Sequence, residues 1–295
     1  MPLPQCLSSL KRWCLLLVVI LSMWSHTTLS LADQHLQFHL TDIPLGKEGS
    51  AENLFVSITG LGLEDLLKPR GAIQSLELRL DNILLPPVAI YRASIKNIAS
   101  AGPMSIVPSA LQRQVLQCLT PCQLETEFLW TPTTVESILN SATVKTMMQK
   151  ALTQSTWGKT LLKPTRTEVS FNQEAIHITQ HTETGWFHLA GPQLKATLLP
   201  QFTSQGLQLK GSSWRVHPGG SLPIDVQNAL GNAIVKEANQ HLERLQSLLE
   251  TQGLRHKHPA WQLTWSQTPS RMLKVSQQWE VQDSFQLVPP ILIEK

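Results

Sequence analysis

Long stretches of this chain alternate between apolar and polar residues with a period of two. The clearest example is Leu76, Leu78 and Leu80, which are separated by the charged residues Glu77 and Arg79. The other alternating segments are residues 36–40, 124–128, 176–178, 187–189 and 194–199. Because successive side chains of a strand point to opposite faces of a sheet, this spacing predicts strands with one buried face. The chain is therefore expected to be rich in β-structure.

The end of the chain predicts a β-hairpin. Apolar residues alternate along residues 261–265 and recur along residues 273–279, and the polar segment 267–270 between them contains residues that favour turns. Tryptophan is frequent here and elsewhere, since the chain has 9 Trp and 1 Tyr. An indole combines an apolar body with one N–H donor, so it suits both a core and the wet edge of a lipid site. Core packing is expected for most of them, and Trp261 and Trp265 are the candidates to face lipid.

Two segments instead carry apolar residues every three or four positions, which predicts amphipathic helices. The first is predicted near residues 133–153, after Pro132, where Thr133 and Glu136 have the spacing of a capping box. The second is predicted near residues 223–252. Its apolar stripe either packs on the sheet as an ordinary core face or encloses an apolar groove together with a curved sheet. In the second case the candidate lipid-binding residues are Val226, Leu230, Ile234, Leu242 and Leu245.

The first 32 residues resemble a signal peptide. Lys11 and Arg12 precede an apolar run over residues 13–24, and Ser30-Leu31-Ala32 offers small residues at the two positions that a signal peptidase recognises. The run is shorter than the roughly 20 residues that span a bilayer as a helix, so cleavage is favoured, although an uncleaved anchor stays open. Residues 33–295 would then be a single β-rich domain, periplasmic or peripherally associated with a membrane.

Two of the four cysteines, Cys118 and Cys122, lie outside the signal segment and are separated by three residues. In an oxidising compartment they can close a small loop that bends at Pro121. A structural disulfide is favoured, and free thiols or a catalytic or metal role are the alternatives.

Composition and motifs argue against several classes of function. Removal of residues 1–32 leaves 22 basic against 21 acidic residues, so strong electrostatic capture of nucleic acid is not expected. Neither a nucleotide-binding glycine loop, a serine-hydrolase elbow, an HExxH helix nor an EF-hand loop occurs in the sequence. The histidines lack the fixed spacing of a zinc site. No catalytic residue, metal site or cofactor is predicted, and the protein is expected not to be an enzyme.

Three segments resemble the LmeA-type phospholipid-binding family of bacterial exported proteins, which belongs with the tubular lipid-binding folds. SLELRLDNILLPP (residues 75–87) resembles an early strand of that family, and TPTTVESILNSATVKTMMQKAL (131–152) resembles its first helix. SSWRVHPGGSLPIDVQNALGNAIVKEANQHLERL (212–245) is similar to the element in which a strand leads through a turn into the second helix. The chain departs from the family in its longer Gln- and Thr-rich connections and in its longer second helix.

The resemblance implies an α+β fold with strongly curved antiparallel sheets wrapped around two amphipathic helices. It also implies non-catalytic binding of phospholipid or another acyl-chain lipid in the bacterial cell envelope, in lipid handling or envelope maintenance. The alternative is an envelope scaffold or adaptor with a fully packed core and protein partners. The presence or absence of an apolar hollow beside the second helix distinguishes the two hypotheses.

Overall fold

The computed structural model is a strand-rich α+β fold in which all paired strands are antiparallel. The described residues are 30–32, 35–45, 49–85, 88–153, 162–172, 174–184, 189–203, 206–220, 223–256, 261–266 and 271–287. The predicted signal peptide therefore lies outside the description except for residues 30–32, and so does the predicted turn at 267–270. Among the described residues, cleavage after Ala32 would remove the three-residue edge strand Ser30–Ala32.

The larger sheet has nine strands within the described residues. They are β1 (Ser30–Ala32), β2 (His35–Leu45), β3 (Gly49–Thr59), β5 (Ser75–Leu85), β6 (Val88–Asn97), β9 (Cys122–Trp130), β15 (Arg255–His256), β16 (Gln262–Ser266) and β17 (Met272–Val281). Their order is β1-β2-β3-β5-β6-β9-β17-β15, and β16 also pairs with β17. The predicted C-terminal hairpin is thus confirmed in its strands. Because β17 pairs with β9, the end of the chain completes a sheet that its first half begins.

The second sheet has five described strands, with the order β10-β11-β13-β14 and with β12 beside β11. They are β10 (Leu162–Asn172), β11 (Ala175–Thr184), β12 (Leu189–Ala190), β13 (Gln193–Thr203) and β14 (Gly206–His217). Two small strand pairs complete the β-structure. They are β4 (Gly71–Ile73) with β7 (Met104–Ile106), and β8 (Val115–Gln117) with β18 (Ser284–Gln286).

The described helices are α1 (Pro108–Leu111), α2 (Pro132–Leu139), α3 (Ala142–Thr153) and α4 (Ile224–Thr251). Helix α4 has 28 residues and confirms the second predicted helix. The prediction of one helix near 133–153 is wrong, because Asn140 and Ser141 separate α2 from α3. Helix α2 ends at Leu139, and the N–H of Asn140 donates to the carbonyl of Glu136 at 2.9 Å. The hydroxyl of Ser141 accepts from the Val144 N–H at 3.4 Å, in the first turn of α3.

The start of α2 also differs from the prediction in detail. Thr131, not Thr133, is the N-cap, and its hydroxyl accepts from the N–H of Thr134 at 3.3 Å. The Thr131 N–H in turn donates to the Thr134 hydroxyl at 2.8 Å, which completes the capping box. Pro132 occupies the first helical position, where no N–H is needed. The residue that precedes the proline is therefore the cap.

Two asparagine side chains, one after α2 and one within α4, each pair with one residue of an edge strand of the second sheet. Asn140 donates to the carbonyl of Thr167 in β10 at 2.8 Å and accepts from its N–H at 3.0 Å. Asn239 of α4 makes the same pair of bonds with Leu207 in β14, at 3.0 and 2.8 Å. A side-chain amide carries one acceptor and two donors, so it can replace a neighbouring strand at one residue. Both edges are therefore protected and tied to helices.

Each sheet has its own apolar core, and α4 contributes to both. The core of the larger sheet contains Leu242, Leu245 and Leu249 from the C-terminal half of α4. The core of the second sheet contains Val226 and Leu230 from the N-terminal half. The long apolar stripe of α4 thus joins the two cores into one structure, and the region where it passes from one to the other contains the cavities described next.

Candidate functional site

The first cavity lies where α2, α3 and α4 meet both sheets and has a volume of about 150 Å³. Its walls are almost entirely apolar and include Ile138 and Met147 from the paired helices, Leu198 and Phe202 from β13, and Leu273 and Val275 from β17. A cavity of about this size lined by Leu, Ile and Phe side chains accepts small apolar molecules such as benzene. The side chains around it forfeit dispersion contacts that a ligand could restore.

The second cavity lies between the inner face of the larger sheet and the C-terminal half of α4, and it has a volume of about 250 Å³. Its walls include Leu54, Leu80, Ile90, Phe128, Leu249 and Phe285. The side chains on this face come from strands whose alternation was visible in the sequence. The cavity is therefore a gap between a regular apolar sheet face and the helix that covers it.

Leu245 lies in the wall of both cavities. Each cavity alone is smaller than the roughly 300 Å³ at which ordinary ligand pockets begin. A chain that occupied both would pass the Leu245 side chain. The two cavities are therefore separate, and Leu245 is the wall residue that they share along α4.

An open groove of about 1010 Å³ lies outside the first cavity, between β13 and β16. Pro200, Phe202 and Leu263 line both the groove and the first cavity, so these side chains form the partition between them. The β13–β14 register shifts between Leu198 and Pro200, and proline has no N–H to donate. The sheet is thus irregular at the point where the groove approaches the cavity.

The groove is more polar than the cavities and carries basic residues at its surface. Lys210 and Arg271 line it together with Glu174, and both basic side chains are exposed. Trp261 and Trp265 lie in the same groove. The Trp261 ring also packs against Phe128, with ring centroids 5.9 Å apart, while Trp265 meets Phe171 edge-on at 5.3 Å. Their indoles therefore join the cores to the groove.

The predicted lipid-binding residues fall into three places. Ile234, Leu242 and Leu245 line the first cavity. Val226 and Leu230 are 1% and 0% exposed, belong to the core of the second sheet and do not line either cavity. Trp261 and Trp265 line the groove, on the other side of the partition from the cavity.

Two polar wall residues of the first cavity, Glu237 and His241, were not predicted. They are 9% and 7% exposed, and Nε2 of His241 lies 3.1 Å from Oε1 of Glu237. The signal was present in the sequence, because residues 230, 234, 237, 241 and 245 follow the three-to-four spacing of the stripe. Burial lowers the pKa of His241 and the charge of Arg244 acts in the same direction, although the Glu237 carboxylate acts against both.

Cys118 and Cys122 are joined by a disulfide, with Cα atoms 6.2 Å apart. Both are buried in the core of the larger sheet and neither lines a cavity described above. Among the described residues, no three His, Cys, Asp or Glu side chains come together in a way that could hold a metal ion. The described helices also include none with the length and apolar character needed to cross a membrane.

Comparisons with known proteins give no relative from which a function could be transferred. No protein-family model, no curated protein and no solved structure matches the chain. The geometry of the cavities and the groove is therefore the basis for a functional proposal.

Proposed function

We propose that this protein is a non-catalytic binder of phospholipid or another acyl-chain lipid, with the chain held in the two cavities along α4. The observation that carries the proposal is the pair of apolar cavities that share Leu245 in their walls, the first of which borders an open groove. A hollow is the feature that a lipid carrier requires and that a scaffold with a fully packed core lacks. It supports the binding hypothesis over the scaffold hypothesis.

The energetics of acyl chains explain why such walls are needed. Moving a chain from a bilayer into water costs about 0.8 kcal/mol per CH₂ group, so a chain of ordinary length needs an apolar lining that offsets on the order of 10 kcal/mol. The walls of both cavities are built from Leu, Ile, Val, Met and Phe side chains, with few polar atoms. They can provide this offset without a change in secondary structure.

The groove suits the polar end of the same lipid. Lys210 and Arg271 offer positive charge to an anionic headgroup, and Trp261 and Trp265 have the amphipathic side chains favoured at a membrane interface. Entry would require Pro200, Phe202 and Leu263 to separate locally. The irregular β13–β14 pairing beside Pro200 lowers the number of ladder hydrogen bonds that oppose such a movement.

The proposal extends to architecture and location. We infer that the two sheets curve around α4 and the α2–α3 pair as in the tubular lipid-binding folds, and that the chain is exported to the bacterial envelope, where it handles lipid or helps maintain the envelope. The signal-like N-terminus and the resemblance of residues 75–87, 131–152 and 212–245 to the LmeA-type family support this placement. A phospholipid or membrane surface is the expected partner, with an envelope protein as a further candidate.

Native mass spectrometry of protein purified without detergent tests the proposal. The wild-type protein is expected to carry a lipid mass that organic extraction removes and that phospholipid vesicles restore. Ala238→Trp places an indole in the first cavity and should abolish this mass, because Ala238 lines that cavity. Ser247→Trp, at an exposed position of the same helix, should retain it.

Thermal unfolding followed by circular dichroism shows whether both variants fold. Wild-type protein that stays empty after incubation with vesicles would contradict the proposal. Equal lipid occupancy of folded Ala238→Trp and Ser247→Trp would place any bound lipid outside the cavity and would contradict it as well. A protein recovered by crosslinking, without any lipid mass, would favour the scaffold alternative.

A further inference from the structure

The wall of the first cavity contains two polar residues, Glu237 and His241, although an apolar lining alone would suffice to hold an acyl chain. Glu237 and His241 occupy successive turns of α4, both are buried, and both line the same hollow. Burial of polar groups is costly unless hydrogen bonds compensate for the lost water. Such a pair in an otherwise apolar wall therefore indicates a polar group that comes from outside the chain.

The protein itself leaves this pair incompletely satisfied. Nε2 of His241 lies 3.1 Å from Oε1 of Glu237, but the direction of approach does not make a hydrogen bond. Nδ1 of His241 has no hydrogen-bond partner among the described residues. Buried side-chain nitrogens without a partner are uncommon, and each one calls for an explanation such as a ligand group or an ordered water.

The chemistry of the pair determines which ligand group fits. Burial lowers the pKa of His241 and so favours the neutral imidazole, in which one ring nitrogen carries a hydrogen and the other accepts. Whichever ring nitrogen carries the hydrogen, the other is an acceptor without a partner in the protein. The Glu237 carboxylate only accepts. The pair therefore offers hydrogen-bond acceptors to the cavity and matches a ligand group that donates.

The charge of the ligand group is a second criterion for which group fits beside Glu237. A phosphate or carboxylate would bring a second negative charge beside Glu237 in a region of low dielectric, where like charges repel strongly. An ammonium group would have to lose most of its hydration to enter an apolar hollow. A neutral hydroxyl donates one hydrogen bond and has the smallest desolvation cost of these groups.

We propose that the part of the ligand inside the first cavity carries a neutral hydroxyl group, which donates a hydrogen bond to the Glu237–His241 pair. This inference rests on the proposed binding of an acyl-chain lipid and specifies its chemistry. The hydroxyl can belong to the head of a glyceride or to a hydroxylated chain. In either case an unpartnered ring nitrogen of His241 is the expected acceptor.

Binding of ten-carbon probes to delipidated full-length protein tests the inference, with tryptophan fluorescence as the readout because Trp130 lines the cavity. 1-Decanol is expected to bind about tenfold more tightly than decyl methyl ether, decylamine or decanoate, because only the alcohol satisfies the buried acceptor without adding charge. Monodecanoylglycerol and methyl 10-hydroxydecanoate then distinguish a head hydroxyl from a chain hydroxyl.

Variants assign the preference to the pair. His241→Phe should lower the affinity for 1-decanol to that for the ether, and His241→Gln should retain part of the preference because its carbonyl still accepts. Glu237→Gln should strengthen decanoate binding by removing the negative charge. Glu243→Gln, an exposed carboxylate on the same helix, is the matched control and should change nothing.

The outcomes separate this inference from the proposed function. Equal affinities of the wild-type protein for the alcohol and the ether would overturn the inference and leave acyl-chain binding intact. Tightest binding of decanoate or decylamine would overturn it in favour of a charged group. If none of the probes binds and vesicles transfer no lipid, the proposed function itself fails.

Discussion

The two ends of helix α4 differ in how they meet the sheets. At the N-terminal end Val226 and Leu230 are fully buried against the second sheet, in a core that also holds Trp214. From Ile234 to Leu249 the same apolar stripe borders two cavities and includes the buried polar pair. The two ends share one periodicity, but only the C-terminal part of the stripe borders the cavities.

The difference shows that the periodicity of the sequence determines which side chains point inward, while the sizes of the side chains that meet there determine whether the space is filled. Every position of the stripe points inward, as the three-to-four spacing requires. Whether the space is filled depends on what the facing strands and helices contribute, and around Ala238 they leave a gap. A dense end fixes the helix on the fold, and a hollow end is available for a ligand.

The largest expected effect comes from the same substitution at the two ends. Leu230→Ala should reduce the free energy of unfolding by about 3–5 kcal/mol, because it opens a cavity in a tightly packed core. Leu245→Ala should reduce the free energy of unfolding by less, about 2 kcal/mol, since Leu245 already borders two cavities and makes fewer contacts. Urea denaturation of the delipidated variants measures both values, and equal costs would contradict the contrast.

The edge anchors should contribute next. Asn239→Ala removes both hydrogen bonds to Leu207 and leaves two backbone groups of an edge strand without these partners, so a loss of about 1–3 kcal/mol is expected. Asn140→Ala is the matched change at the other edge of the same sheet. Because Leu207 lines the first cavity, hydrogen exchange at β14 should quicken only in the Asn239 variant. Identical exchange in both variants would argue against a link between this anchor and the hollow.

Adding side-chain volume should have a smaller effect on stability. The effect should be favourable in the first cavity and unfavourable in the core of the second sheet. Ala238→Leu is expected to stabilise the ligand-free protein by up to about 1 kcal/mol, because it adds contacts inside a cavity. Ala196→Leu should destabilise it by about 1–3 kcal/mol through overpacking, since Ala196 is buried in the dense core. Leucine suits a strand better than alanine does, so strand propensity favours the Ala196→Leu variant. A loss of stability in that variant would therefore be due to overpacking. Thermal unfolding of both variants measures the difference.

The smallest expected effect is on the pH dependence of stability. Since burial lowers the pKa of His241 below 6.5, the unfolded chain takes up the proton first as the pH falls. The free energy of unfolding should therefore decrease as the pH falls through 6.5 and below. His241→Gln should flatten this dependence, whereas Leu230→Ala at the packed end should leave its slope unchanged. An unaltered slope in His241→Gln would contradict a buried neutral histidine.

A second titratable group, the carboxylate of Glu127, affects stability in a different pH range from His241. The pKa of Glu127 is lowered, because its hydrogen bonds and charge interactions with Lys274 and Lys96 outweigh the opposing effect of burial. Its contribution is present above the ordinary carboxylate pKa and is lost at lower pH than that of His241. Lys274→Met should therefore lower stability at neutral pH and lose this effect in the more acidic window, and equilibrium unfolding at a series of pH values distinguishes the two groups.

Most strands could be predicted from the sequence because alternation is a local property. The alternation at Leu124 and Phe128 correctly gave strand β9, and the three-to-four spacing correctly gave α4. The break at Asn140 could not be predicted in this way. Its side chain is held by Thr167, which lies 27 residues further along the chain. A pattern within one segment carries no information about such a partner.

The cavities were beyond prediction for the same physical reason. The stripe identified Ile234, Leu242 and Leu245 as inward-facing residues, and these three do line the first cavity. It predicted the same role for Val226 and Leu230, although these two are buried in the core of the second sheet and line neither cavity. The volume left between elements depends on all the side chains that meet there, from both sheets and three helices. Glu237 and His241 were overlooked because their polarity hid the fact that they continue the stripe.

Contact-range quenching of Trp130 tests the central claim most directly. The claim is that an acyl chain enters the hollow beside α4, and Trp130 lines that hollow. Incubation with phosphatidylcholine vesicles that carry brominated acyl chains should quench a component of the wild-type fluorescence that is missing from Trp130→Phe, and unbrominated vesicles should quench neither. Equal quenching of the wild-type protein and Trp130→Phe would mean that lipid reaches only the groove, and the account of an internal acyl-chain site would be contradicted.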